Sequence, residues 1–140
     1  MMLPGRKTSA AFEWNPPASE AAIRQAEHEY GGPLPADYVK LIKVANGGCT
    51  DGNLSILEVE DCVQRNADYE VGQYLPGYFM IGDDGAGTAI LIQLRDRRIY
   101  ECDMGVMDAR FVTLSAGSLD ELLELGTSLM ERDASQETAG

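Results

Sequence analysis

Apolar residues recur at helical spacing near both ends of the chain and as short continuous runs in its middle. Ser19 opens the first periodic segment. Ile23, Ala26, Glu27 and Tyr30 follow at steps of three and four, and the Gly31-Gly32 pair supplies a helix stop. Pro33-Leu34-Pro35 excludes helix and forces an extended link. A second helix is expected over about 36–45, with Tyr38, Leu41, Ile42 and Ala45 on one stripe and Asp37 favourably placed in its first turn. Asn46-Gly47-Gly48 then allows the left-handed backbone that ends it.

After Gly52 the period shortens. Leu54 to Leu57 reads as a strand, followed by a helical turn from about Val59 to Asn66. Pro76-Gly77 turns into the buried strand Tyr78 to Ile81. Gly82 to Gly87 is a run of turn formers, so Thr88 to Leu94 is expected to return as the second arm of a hairpin. The Arg95-Asp96-Arg97-Arg98 turn leads into Ile99 to Cys102, and a looser loop leads to Phe111 to Leu114. Ser118 and Glu121 form a capping box for a last helix over 118–131, with Leu119, Leu122, Leu123, Gly126, Leu129 and Met130 on its apolar face.

Helices at the chain ends and short-turn strands between them predict an α+β fold. The expectation is a central antiparallel sheet of four to six strands with helices from both chain ends packed on one face. The expected core is Ile23, Leu34, Tyr38, Leu41, Ile42, Phe79, Ile81, Ile90, Ile92, Leu119, Leu122 and Leu123. Residues 1–17 read as an N-terminal arm that Phe12 and Trp14 can pin to the body. Residues 18–132 read as the single domain and 133–140 as a flexible polar tail.

Composition narrows the function. The 140 residues carry 11 basic and 23 acidic side chains, a net charge of −12. A chain of this size buries about two-thirds of its unfolded surface, enough for a core without metal or disulfide staples. The acidic balance argues against nucleic acid or an anionic membrane as partner and leaves a basic protein open. The longest apolar runs are four residues, against about 20 for a membrane-spanning helix. The opening MMLPGRKTSAAFEWN lacks the apolar stretch of a secretory signal. Cys49, Cys62 and Cys102 include no C-x-x-C pair, so no structural zinc is expected, and their odd number fits a reducing cytoplasm.

No reaction is carried by residue spacing. His28, the one histidine, sits between Glu27 and Glu29 on a helix where neighbours point to different faces, so it reads as a solvated side chain. The Gly82 to Gly87 run matches neither phosphate-loop pattern and is followed by no helix. Calcium suits aspartate beside glycine better, but the 12-residue EF-hand pattern is absent. Glu58, Glu60 and Asp61 form a small acidic cluster, either a binding patch or a solvated element end. Neither a catalytic residue, a cofactor nor a metal is expected.

The stretch from Ser19 to Gly48, SEAAIRQAEHEYGGPLPADYVKLIKVANGG, resembles the signature of the SUKH superfamily, which includes yeast cell-wall synthesis regulators and bacterial immunity proteins. The matching features are Glu27, Gly31, Leu34-Pro35-Ala36-Asp37-Tyr38, Leu41-Ile42 and Asn46-Gly47-Gly48, then Phe79 to Gly87 and the VTLSAGSLDELL segment from Val112. The resemblance covers about 110 residues in order. It implies a non-enzymatic protein-binding scaffold and carries over no catalytic residue. Two readings follow from it: an immunity protein that neutralises a toxin domain, for which a basic nuclease suits the charge, or a regulatory domain with a housekeeping partner. The residues expected to contact the partner are Asp83 and Asp84, then Glu58, Glu60 and Asp61. For Asp83 and Asp84 the alternative is that they only shape a turn.

Overall fold

Seven strands follow one another in chain order across one antiparallel sheet: β1 (Phe12–Trp14), β2 (Gly48–Thr50), β3 (Ser55–Ile56), β4 (Tyr78–Asp83), β5 (Thr88–Gln93), β6 (Ile99–Asp103) and β7 (Thr113–Ala116). The computed structural model describes residues 12–132. Two helices, α1 (Glu20–Tyr30) and α2 (Ala36–Ile42), lie between β1 and β2, and two more, α3 (Val59–Asp68) and α4 (Val71–Tyr74), between β3 and β4. A 3-10 turn (Ala109–Phe111) precedes β7, and α5 (Leu119–Leu125) follows it.

The expected four to six strands are therefore corrected to seven, within the α+β arrangement. The additions are β1 and β2, three residues each, too short to show a period. Their pairing is made by contacts distant in sequence: Phe12 lies opposite Thr50 and Trp14 opposite Gly48. The last strand starts at Thr113, two residues after Phe111, because Asp108 caps the 3-10 turn by accepting from Arg110 N. The first eleven residues of the expected arm and the whole expected tail lie outside the described residues.

The central hairpin pairs as expected, Phe79 opposite Ile92 and Met80 opposite Leu91. Directly opposed residues share a sheet face, so Phe79, Ile92 and Ile99 lie on one side and Met80, Leu91 and Tyr100 on the other. The rings of Tyr30 and Tyr38, from α1 and α2, meet Phe79 on the first side. Cys102, two residues after Tyr100, lies on the second side, where its Sγ donates to Val106 O at 3.3 Å, and Met104 and Met107 also pack on the core. Both central strands are consequently buried through their four middle residues. All twelve residues expected in the core are buried.

Local chemistry sets the helix ends. Ser19 and Ser118 accept from the third residue on, Ala22 N and Glu121 N. Gly31 ends α1 at φ 87°. The last helix departs from its expected span: Gly126 takes φ 64° and stops α5, and among the described residues the chain is helical again over 129–132. The α-helix of α2 likewise closes at Ile42, three residues before the expected end.

The Asn46-Gly47-Gly48 segment locks the helical and sheet halves together. Gly47 has φ 79°, and a Cβ there would lie 2.6 Å from the Ile56 carbonyl oxygen. A Cβ on Gly48 would overlap the backbone oxygen of Glu13. Only glycine lets β1 and β3 approach β2 this closely.

Candidate functional site

Helix α3 positions three of the five acidic residues. No side chain of its own caps its start. Asn46 does so from across the fold, accepting from Val59 N at 2.8 Å through Oδ1 and donating to Glu60 Oε1 at 2.8 Å through Nδ2. Buried Asn66 fixes the other end of α3: its amide donates to the Met80 carbonyl (3.0 Å) and accepts from Met80 N (2.8 Å). It thus replaces a strand neighbour where β3 has already ended. Held at both ends, α3 presents Glu58, Glu60 and Asp61 to solvent.

Asp83 and Asp84 have different environments. Asp83 Oδ2 pairs with Arg65 Nη1 at 3.1 Å, and its Oδ1 accepts from Gly85 N at 2.8 Å. Asp84 has no exposed surface. Its Oδ1 accepts from Ala86 N (2.8 Å) and Thr88 N (3.0 Å), while Oδ2 has no hydrogen-bond partner among the described residues. These bonds fold the turn between β4 and β5. Arg65 brings Asp83 against α3, so the hairpin turn and the Glu58-Glu60-Asp61 turn lie along one helix.

Other polar groups are buried for structural reasons. Tyr38 donates its hydroxyl to the Leu57 carbonyl at 2.6 Å, and burial pushes its pKa up. Burial also pushes the Cys62 thiol up to about 11, which disfavours the nucleophilic thiolate. His28 is exposed. Among the described residues no three His, Cys, Asp or Glu side chains are grouped to hold a metal ion. No helix among them is long and apolar enough to cross a membrane.

Sequence reasoning missed a buried network under the residues 127–132. Glu101 Oε2 accepts from Ser115 Oγ (2.7 Å) and Leu129 N (2.9 Å), and Arg132 Nη2 stands 3.8 Å away. Burial raises the Glu101 pKa against the opposing pull of Ser115, Leu129 and Arg132. The available signal was a carboxylate two residues after Ile99, an inward position in a period-two strand. The pocket between α2 and α5, lined by Asp37, Lys40, Leu41, Val44, Leu119 and Asp120 among others, was also missed. Its residues come from segments about 80 positions apart in the chain, and nothing local joins them.

The motif residues now have physical roles. Glu27 accepts from Leu34 N at 3.1 Å and fixes the link between α1 and α2. Tyr38 pins α2 to the segment before α3, and Asn46 caps α3. No curated protein matches the chain. The family described as SMI1 / KNR4 (SUKH-1) matches residues 17–125. The match takes in both helices between β1 and β2, the central hairpin and all of α5. The chain belongs to the SMI1 / KNR4 family (SUKH-1), and is on that ground a protein-interaction domain.

Proposed function

We propose that this domain is an immunity protein of the cytoplasm that binds a basic toxin domain, a nuclease first among them, and blocks it without chemistry of its own. The observation that carries the reading is the rigidly held acidic turn of α3. Glu58, Glu60 and Asp61 are exposed there, on a helix tied to Asn46 at one end and to Met80 at the other. Fixed carboxylates steer a basic partner and cost little ordering on contact. Asp83 extends this surface at its edge, sharing its charge with Arg65. Asp84 contributes by folding the turn, since it has no surface to offer.

The test is recovery of the partner from host lysate, followed by assay of its activity with and without the domain. A basic protein whose toxic activity falls at one equivalent of domain supports the reading. The double variant Glu58→Gln/Asp61→Asn, which leaves the Asn46–Glu60 bond in place, should then inhibit more weakly while melting close to the parent. A housekeeping partner with no toxicity to suppress would instead place the chain with the regulatory members.

A further inference from the structure

The pocket between α2 and α5 is, we infer, an anchor site for one basic side chain, arginine first, presented by the protein partner. This deepens the binding reading above and rests on it for the partner. The cavity measures about 380 Å³, near the lower limit of roughly 300 Å³ for ligand cavities. That volume has room for one long side chain in full.

Its chemistry is two-layered. Leu41 and Leu119 are buried and Val44 half-buried, so the interior is aliphatic. Half-buried Asp37 from α2 completes the lining with exposed Lys40 and, from α5, exposed Asp120. None of these three makes an ion pair among the described residues. The lining thus holds two carboxylates against one amine, a side-chain charge of −1. An anionic ligand meets two carboxylates there, and a neutral apolar one uses only the aliphatic interior. A lone cation on an aliphatic stem matches both layers: the stem lies on the leucines and the head is shared by carboxylates from two helices. Arginine fits better than lysine because its guanidinium is planar, weakly hydrated and donates in several directions.

Lys40 makes the assignment testable by sign, because it opposes a cation that Asp37 and Asp120 attract. The probes are a blocked Gly-Arg-Gly tripeptide and its citrulline counterpart, added to methyl-labelled protein and followed by NMR. The arginine probe should shift the Leu41, Val44 and Leu119 methyls, and the citrulline probe should not. Asp37→Asn/Asp120→Asn should weaken binding about fivefold, as expected for two surface charge pairs. Lys40→Gln should tighten it about twofold. All three positions are at least partly exposed, so unchanged spectra away from the pocket will show that the fold is kept. Equal shifts from citrulline, shifts confined to α3, or weaker binding by Lys40→Gln would each overturn the inference. Its failure is separable from that of the immunity reading. A recovered partner that ignores the pocket variants but loses affinity for the α3 variant removes the anchor site alone.

Discussion

Asn46 illustrates how one side chain does several structural tasks at once. Its oxygen supplies the cap that α3 lacks, its amide nitrogen holds Glu60, and its backbone N–H donates to Pro16 O. Asn46→Ala removes the first two and leaves Val59 N without its acceptor. Loss of a cap costs about 0.5–2 kcal/mol, and the buried site places this variant in the upper part of that range. Asn46→Asp keeps the acceptor and should lie between alanine and the parent in urea melts. Glu101 works in the opposite sense. Burial raises its pKa in the folded state, so the folded protein binds that proton more tightly than the unfolded chain. Its favourable contribution is present at pH below the ordinary carboxyl value and is lost as pH rises through the folded value. Glu101→Gln keeps an acceptor for Ser115 and Leu129 without the charge. Urea unfolding at several pH values should therefore show the variant gaining on the parent as pH rises from 4 to 7. A constant difference would mean that Arg132 fully offsets the buried charge.

At the scale of elements, periodicity made some parts legible and left others silent. Ser19, Gly31 and Ser118 act through bonds within one turn, and their helix ends stand where the local pattern places them. The Tyr78 and Thr88 strands are long enough for an apolar run to show. Three-residue β1 and β2 carry no period, and the fold makes them strands by laying Trp14 beside Gly48. Gly126 misled in the other direction: it falls on the apolar face of a continuous helix, yet adopts the left-handed conformation that ends one. The candidate site divides the same way. Glu58, Glu60 and Asp61 were visible as a cluster, whereas the burial of Asp84 depends on bonds to Ala86 and Thr88 that only the closed turn makes. Short as it is, α5 still carries core. Leu122 is fully buried, so Leu122→Ala should cost about 2–5 kcal/mol. An unchanged urea midpoint would show that α5 only covers a core completed by other elements.

For the whole molecule, the decisive quantity is where its net charge of −12 is held. Some carboxylates already have cationic partners: Asp83 has Arg65, Asp108 has Arg110 at the surface, and Glu101 has Arg132. These do little for a distant cation, because each is neutralised at close range. The α3 turn is different, since Glu58 and Asp61 make no ion pair among the described residues. Unpaired, exposed charges act over about 8–10 Å at physiological salt and set encounter rates more than lifetimes. Two variants of equal charge change should therefore behave differently with the recovered partner. Glu58→Gln/Asp61→Asn should slow association and flatten its dependence on salt, with dissociation nearly unchanged. Asp83→Asn/Asp84→Asn removes two charges as well, but one is paired and the other buried, so its association rate should fall less. Its main effect should be on stability, through a released Arg65 and a loosened turn. Stopped-flow association at low and high salt separates the two, with urea unfolding as the control. If the hairpin pair slows association as much as the α3 pair, the field of the whole molecule steers the partner, and the α3 turn holds no special place in recognition.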